Sequence, residues 1–411
     1  MKDNAHDPYA ALRIPAFRLF AFGRMCAILG IQVQGVIVGW QIYKITNDPL
    51  ALGLIGLAEA IPALGVALYA GHLVDISDRR RIILVCLTVL SACSAALLFL
   101  TTDLAVSFQY KIVWVIYGII MVSGLARGFI GPALFSYLSQ IVPQPLFMNS
   151  STWNSSIWHF ASMTGPAIGG LIYGFYNITY AYTADFCLMA VALGLFFMME
   201  SKGAPLLTHR EEILHSLTAG LRFVFSRQLI LAAITLDLFA VLFGGAVALI
   251  PEFAEKILMV GPIGFGWLNA AMDIGSVLVI STLTLWPMKN KQGYRLMYAV
   301  AGFGICIVIF GFSRLYWLSF MALMIAGMMD GISVIVRGTV LQLTTPDDKR
   351  GRVSSVNSMF INSSNELGQF ESGFMARALG TVPSVIFGGA MTLLVVIITW
   401  FKAPELRKFE Y

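Results

Sequence analysis

Apolar residues run along this chain in blocks of about twenty, separated by short polar breaks. A block of that length is what an α-helix needs to cross ~30 Å of hydrocarbon. Twelve such spans are predicted, over 17–43, 50–71, 80–101, 110–137, 148–175, 179–199, 228–251, 262–286, 295–311, 315–340, 353–376 and 382–401. Several exceed the minimum, which tilt accommodates. The pattern therefore predicts an all-α membrane protein.

The break between spans two and three orients the rest. It reads Gly71-His72-Leu73-Val74-Asp75-Ile76-Ser77-Asp78-Arg79-Arg80-Arg81. It is too charged to lie in lipid, and basic residues in short loops are retained on the cytoplasmic side. With this loop inside, both termini are expected to be cytoplasmic. Most of the 27 Lys and Arg then fall on the cytoplasmic face. Only Lys44, Lys111, Lys256, Arg314 and Arg377 fall on the far face, and Arg24, Arg127 and Arg337 lie within spans.

Composition agrees with this reading. Of 411 residues, 58% are hydrophobic and only 12% charged, against about 25% charged in ordinary soluble domains. The net charge of +5 is scattered over short loops, so it points to membrane lipid rather than nucleic acid. The start of the chain, 1–15, is polar and reads as no cleavable signal. Cys26, Cys86, Cys93, Cys187 and Cys306 all fall in apolar runs and read as small core residues. His6, His72, His159, His209 and His215 do not cluster, so no metal site is expected. The chain holds no GxxxxGK[ST], HExxH or GxSxG. No enzyme activity, cofactor or nucleotide-driven pump is expected.

The longest polar interruption, 200–227, separates spans one to six (1–199) from spans seven to twelve (228–411). Leu214, Leu217, Leu221, Val224 and Phe225 recur within it at helical spacing, which predicts an amphipathic surface helix linking two halves. The halves carry a weak repeat. Asn149-Ser150 and Asn154-Ser155-Ser156 open span five, and Asn357-Ser358 and Asn362-Ser363-Ser364 open span eleven. Arg127 and Arg337 occupy similar places in spans four and ten. Parallel repeats of six helices are expected of one large transporter class, with the substrate path between them.

Particular motifs then carry a family resemblance. Gly71-x-Leu73-x-Asp75-x-x-Asp78-Arg79-Arg80 resembles the signature loop of the major facilitator superfamily, with Ile76 where that family usually has arginine. Gly165-Pro166-Ala167-Ile168-Gly169-Gly170 resembles the antiporter motif of its exporters, with Ala161 in place of the leading glycine. The second half resembles the bacterial branch that contains the enterobactin exporter. The likeness lies in Asp330 to Arg337, Gln342 to Asp347, Arg350-Gly351-Arg352-Val353 and Ser364 to Gly373. The resemblance implies a twelve-helix major facilitator fold of two six-helix halves. It also implies a bacterial inner-membrane exporter, expected to be a monomer. Asp75, with Gly71, Asp78, Arg79 and Arg80, is then expected to form a latch against the amino end of span eleven. The arginines would anchor to lipid phosphates or pair with Asp75 and Asp78. Gly165, Pro166, Gly169 and Gly170 are expected to give a kinked, closely packed helix that limits leak.

Charges within spans are functional candidates by default, because burying them is costly. Glu59, Asp237, Asp273, Asp330 and Glu366 fall near mid-span, whereas Asp185 and Glu371 fall toward span ends. Desolvation favours the protonated form of a mid-membrane carboxyl, which suits a proton-coupled exporter. Asp237 is the leading coupling or cargo candidate, since span seven normally lines the cavity in the resembling fold. Glu366 and Asp330 follow. Asp330 and Arg337, two turns apart on one helix, are expected to share an ion-pair network. Glu59 is open to pairing with Arg24. The basic residues Arg24, Arg127 and Arg337 are alternatively suited to an anionic cargo group. Gln32 and Gln34 cannot share one helical face, so at most one points into a pathway. Trp40 and Tyr43 read as interface residues. Gln34, Phe239, Phe243, Trp267, Asn269 and Phe360 are candidate walls of an apolar cavity with a few polar fixtures. The expected cargo is a small amphiphilic or siderophore-like molecule moved against protons. An importer or lysophospholipid flippase, or a non-transporting sensor or scaffold, are the competing readings.

Overall fold

The computed structural model describes residues 9–102, 111–203, 221–286, 288, 290–346 and 350–410. Among these there is no strand. The first six long helices are α1 (Pro15–Thr46), α2 (Pro49–Ile76), α3 (Arg79–Phe99), α4 (Ile112–Ile141), α5 (Phe147–Phe175) and α6 (Ile178–Phe197). The next six are α7 (Gln228–Phe243), α8 (Gly261–Leu285), α9 (Gln292–Phe312), α10 (Tyr316–Thr344), α11 (Arg350–Leu379) and α12 (Thr381–Lys402). Ten described helical stretches are long and apolar enough to cross a membrane, one of them, Gln228–Ile257, comprising α7 and the turns that follow it. The two others, α5 and α11, have the length but carry the Asn- and Ser-rich stretches of the repeat. Most of the expected amphipathic linker, 204–220, lies outside the described residues; 221–226 is helical.

Local chemistry sets the helix ends. Asp78 caps α3, its Oδ1 accepting from Arg80 N at 3.0 Å. Asn177 caps α6, accepting from Tyr180 N at 3.1 Å. Each satisfies an amide that the helix itself cannot. The turn into α2 uses Asp48, which accepts from Leu50 N at 2.9 Å, followed by Pro49 as the first helical residue. Gly380 precedes α12 at φ +92°, a conformation that a side chain would strain.

Contacts divide the residues into two units. The first comprises 1–37 and 61–209. Its core gathers Phe17, Phe20, Ile83, Leu87, Leu90, Tyr137, Met189 and Phe196. The second comprises 38–60 and 210–411, so the end of α1 and the start of α2 are counted with α7–α12. In this second unit Gly373 of α11 meets α2 so closely that a Cβ on it would stand 2.8 Å from Gly53 Cα. Trp40 stacks on Phe265 with ring centroids 5.3 Å apart. Arg377 pairs with Asp48 at 3.1 Å, and Lys44 pairs with Glu255.

Four expectations change. The polar break at 71–81 is mostly helix, because Leu73, Val74 and Ile76 continue the apolar register of α2. Only Ser77 and Asp78 remain between α2 and α3. Span seven is not continuous. α7 ends at Phe243, and the chain proceeds through a 3-10 turn at Ala246–Leu249 and a π turn at Phe253–Ile257. The break falls at Gly244-Gly245, where a Cβ on Gly245 would lie 2.6 Å from the carbonyl oxygen of Gly368 on α11. Trp40 and Tyr43 are only 2% and 1% exposed, so they are packed inside protein rather than at an interface. Cys187 is exposed, beside an apolar groove with Leu29, Val33 and Ile168.

Candidate functional site

Two buried polar clusters stand out, one in each unit. In the second unit, α7 presents Asp237 and α10 presents Arg337, 6% and 5% exposed. Arg337 Nη1 pairs with Asp237 Oδ2. The sequence placed Arg337 with Asp330, because the two share a helix face. The observed partner is instead on a different helix about one hundred residues away. Asp330 lines the same small crevice as Asp237, together with Ala240, Val300, Phe303, Met329 and Ser333. Asp273 on α8 is close enough to Asp330 for the two carboxyl groups to repel. That proximity comes from tight helix packing. A Cβ on Gly275 of α8 would sit on the carbonyl oxygen of Met324 in α10, and one on Gly327 of α10 would sit on that of Met272.

A buried ion pair is held against a large desolvation cost. Protonating Asp237 or placing an anion beside Arg337 changes which partner each prefers. The pair can therefore exchange a proton or an anionic group for an internal contact.

The other second-unit candidates lie on α2, α7, α8 and α11. Glu366, on α11, accepts from Gln369 Nε2 at 3.1 Å one turn along its own helix. Glu59 lies half-buried on the part of α2 in this unit. Phe239 and Phe243 stack along α7 with centroids 6.3 Å apart, and Phe239 is exposed. Trp267 is also exposed, and Asn269 Nδ2 donates to the Phe265 carbonyl of its own helix at 3.2 Å. Phe360 packs on a small core of Phe223, Val224, Ile230, Ile234, Val353 and Val356.

In the first unit, Gln34 of α1 is 1% exposed and joins three helices. Its Nε2 lies 3.2 Å from Asp185 Oδ2 on α6 and 3.3 Å from Ser94 Oγ on α3. Its Oε1 accepts from Arg127 Nη2 on α4 at 3.3 Å. Gln34 is thus a polar hub rather than a cavity wall alone. Sequence reasoning named Gln34 and Arg127 but set Asp185 aside as near a span end. Asp185 is in fact fully buried. The available signal was an acid inside an apolar run, which depth along the span discounted. Arg24, also on α1, has a buried Nε with no hydrogen-bond partner among the described residues.

The signature loop is tied down within the first unit. Arg80 Nη2 donates to the Phe197 carbonyl at 2.6 Å and Nε to that of Phe196 at 3.4 Å, at the C-terminus of α6. Free carbonyls and the helix dipole favour a cation there. Arg80 is thus engaged by the backbone carbonyls that end α6. Arg81 Nε lies 3.6 Å from Asp78 Oδ2, which also accepts from Ser201 Oγ. Arg79 has a buried Nε without a hydrogen-bond partner among the described residues. Gly71 sits in the last turns of α2, where a Cβ would meet nothing within 4 Å. The side chain of Asp75 lies outside the described residues. In α5, Pro166 is inside the helix and Gly165, Gly169 and Gly170 are buried. A Cβ on Gly165 would stand 2.5 Å from Gln32 Cβ, so the glycine admits α1 at close range.

Known proteins match this chain along nearly its full length. The multidrug efflux pump Tap of Mycolicibacterium fortuitum is 24% identical over 407 residues, covering 95% of this chain and 96% of Tap. The enterobactin exporter EntS of Shigella flexneri is also 24% identical, covering 96% and 93%. Among solved structures, a POT family transporter in complex with a thioalcohol-conjugated peptide aligns with TM-score 0.75 at 11% identity, over 95% of this chain and 96% of that one. The nucleoside transporter NupG aligns with TM-score 0.71 at 12% identity, over 94% and 99%. These structures share the fold. A family model described as transmembrane secretion effector matches residues 6–411. The chain belongs to that family of major facilitator membrane transporters and is not an enzyme.

Proposed function

We propose that this protein is a secondary active exporter of an amphiphilic or siderophore-like small molecule. Proton antiport by alternating access drives it, across a bacterial inner membrane with both termini in the cytoplasm. The two halves, 1–199 and 228–411, joined by the 200–227 linker, are the moving bodies. The observation that carries the reading is the buried Asp237–Arg337 pair, with Asp330 on the same crevice. A carboxyl held in low dielectric by one arginine has two stable arrangements, ionised and paired, or protonated and apart. Proton and cargo take Asp237 in turn: a proton bound from outside displaces a cationic or hydrogen-bond-donating group of the cargo from the carboxylate, and release of that proton inside frees the carboxylate for the next cargo molecule. Arg337 holds the ionised carboxylate in between. Tap and EntS, as efflux pump and exporter, favour outward movement and set the range of cargo to try.

The test is transport in proteoliposomes with an imposed pH gradient, a sodium gradient serving as control. The probes are enterobactin, ethidium, erythromycin and lysophosphatidylcholine. At least one probe is expected to accumulate against its gradient only when the pH gradient is present. Asp237→Asn is expected to lower gradient-driven accumulation at least about tenfold while cargo exchange without a gradient persists; tenfold is about 1.4 kcal/mol of coupling. An Asp237→Asn protein that still concentrates the probe would remove Asp237 from the coupling role. Accumulation driven equally by sodium would remove the proton.

A further inference from the structure

We propose that Asp185 is a second proton-carrying carboxyl, set in the first unit and read out by Arg127 through Gln34. It deepens the export reading by giving the first half its own proton site, and it rests on that reading only for what the proton drives.

Asp185 is 0% exposed on α6, with side chains from three other helices around it. One carboxylate oxygen, Oδ2, is engaged by Gln34. The other, Oδ1, is buried with no hydrogen-bond partner among the described residues. A buried carboxylate oxygen with no donor is costly, and a bound proton removes that cost by neutralising the group. Protein closes in tightly beside this oxygen: a Cβ on Gly30 of α1 would stand 3.3 Å from Oδ1 and 2.9 Å from Met189 Cε.

Gln34 links acid to base with a fixed polarity. Its amide oxygen faces Arg127 and its amide nitrogen faces Asp185. That orientation, assigned from the hydrogen-bond pattern, suits a cation at one end and an anion at the other. Adding a proton to Oδ1 makes Asp185 neutral, breaks no covalent bond and removes the negative charge that Gln34 relays to Arg127. The titratable and charged groups around Asp185 are few. Arg127 comes from α4 and Cys93 from α3, and Tyr182 lies on α6 itself, with Tyr173 of α5 acting on Tyr182 in turn. From α1 and α3 the remaining polar neighbours, Gln34 and Ser94, do not titrate. A metal cation does not suit this site, because the nearest full charge besides the carboxylate is a guanidinium.

The arrangement parallels the second unit without copying it. There the arginine of α10 meets an acid on α7 directly. Here the arginine of α4 meets an amide on α1, and the acid has moved to α6.

The test is infrared difference spectroscopy of the full-length protein in lipid, stepped between acid and alkaline pH without cargo. Wild type is expected to show a pH-dependent carboxylic-acid C=O band that disappears in Asp185→Asn and persists in Asp237→Asn. Identical bands in wild type and Asp185→Asn would overturn the assignment. Should Asp185→Asn not insert, Gln34→Leu decides on the same band. A changed frequency or midpoint supports the site, and an unchanged band overturns it. Because no cargo is present, a missing Asp185 band sinks this site and leaves the exporter reading to the transport assay.

Discussion

At the scale of single residues, the Asp237–Arg337 pair makes a stability prediction separate from transport. Removing one partner leaves the other charge buried and alone, which costs about 3–5 kcal/mol, whereas removing both together is close to neutral. Arg337→Met is thus expected to lower resistance to denaturant in detergent by that amount. Asp237→Leu combined with Arg337→Met is expected to recover most of the loss and still not transport. If the double variant proves no more stable than Arg337→Met, the pair is not held as the structure has it. Depth along a span put Asp237 among five mid-span acids, and the family resemblance placed it first. Its partner was not legible, because helical spacing ties Arg337 to Asp330 and says nothing about a helix one hundred residues away. Asp185 was missed for the converse reason. Its burial is created by α1, α3 and α4, none of them near it in sequence.

At the scale of helices, close packing depends on particular glycines. Gly275 and Gly327 bring α8 and α10 together backbone to backbone, and a Cβ at either overlaps a carbonyl that cannot rotate away. Gly275→Ala is expected to cost about 1–3 kcal/mol through overpacking. Gly338→Ala, also on α10 but with nothing within 4 Å, is expected to be neutral or to gain up to about 1 kcal/mol from helix propensity. Thermal unfolding of the two variants side by side checks the contrast. At Gly165 the neighbour is Gln32 Cβ, fixed to the α1 backbone, so a bulky residue has to push α1 away and is expected to raise proton leak in liposomes more than it lowers expression. Capping gives a third element-scale prediction. Asp78→Ala removes the N-cap of α3 and is expected to cost about 1 kcal/mol, measured by the same unfolding assay.

For the whole molecule, the proposed orientation puts the short turn between α2 and α3 in the cytoplasm. In a background with the five cysteines replaced, Ser77→Cys is expected to react with an impermeant thiol reagent only in inside-out vesicles. Labelling in intact cells would reverse the topology and the direction of transport argued from it. Asp75→Asn is expected to slow export of a working probe while leaving the amount of inserted protein unchanged. Normal export by a fully inserted variant would remove the latch role.

Hydrophobic runs of fixed length, interrupted by charge, determined by themselves that the chain is a bundle of about twelve membrane helices. Backbone groups in hydrocarbon have no partner but their own helix, so length and apolarity suffice to specify each element. The tertiary structure alone decided which charges meet, that span seven breaks at Gly244-Gly245, and that the 71–81 break is mostly helix. Those outcomes depend on how closely one helix approaches another. Residues far apart in sequence set that distance, and no periodicity along a single strand of chain records it.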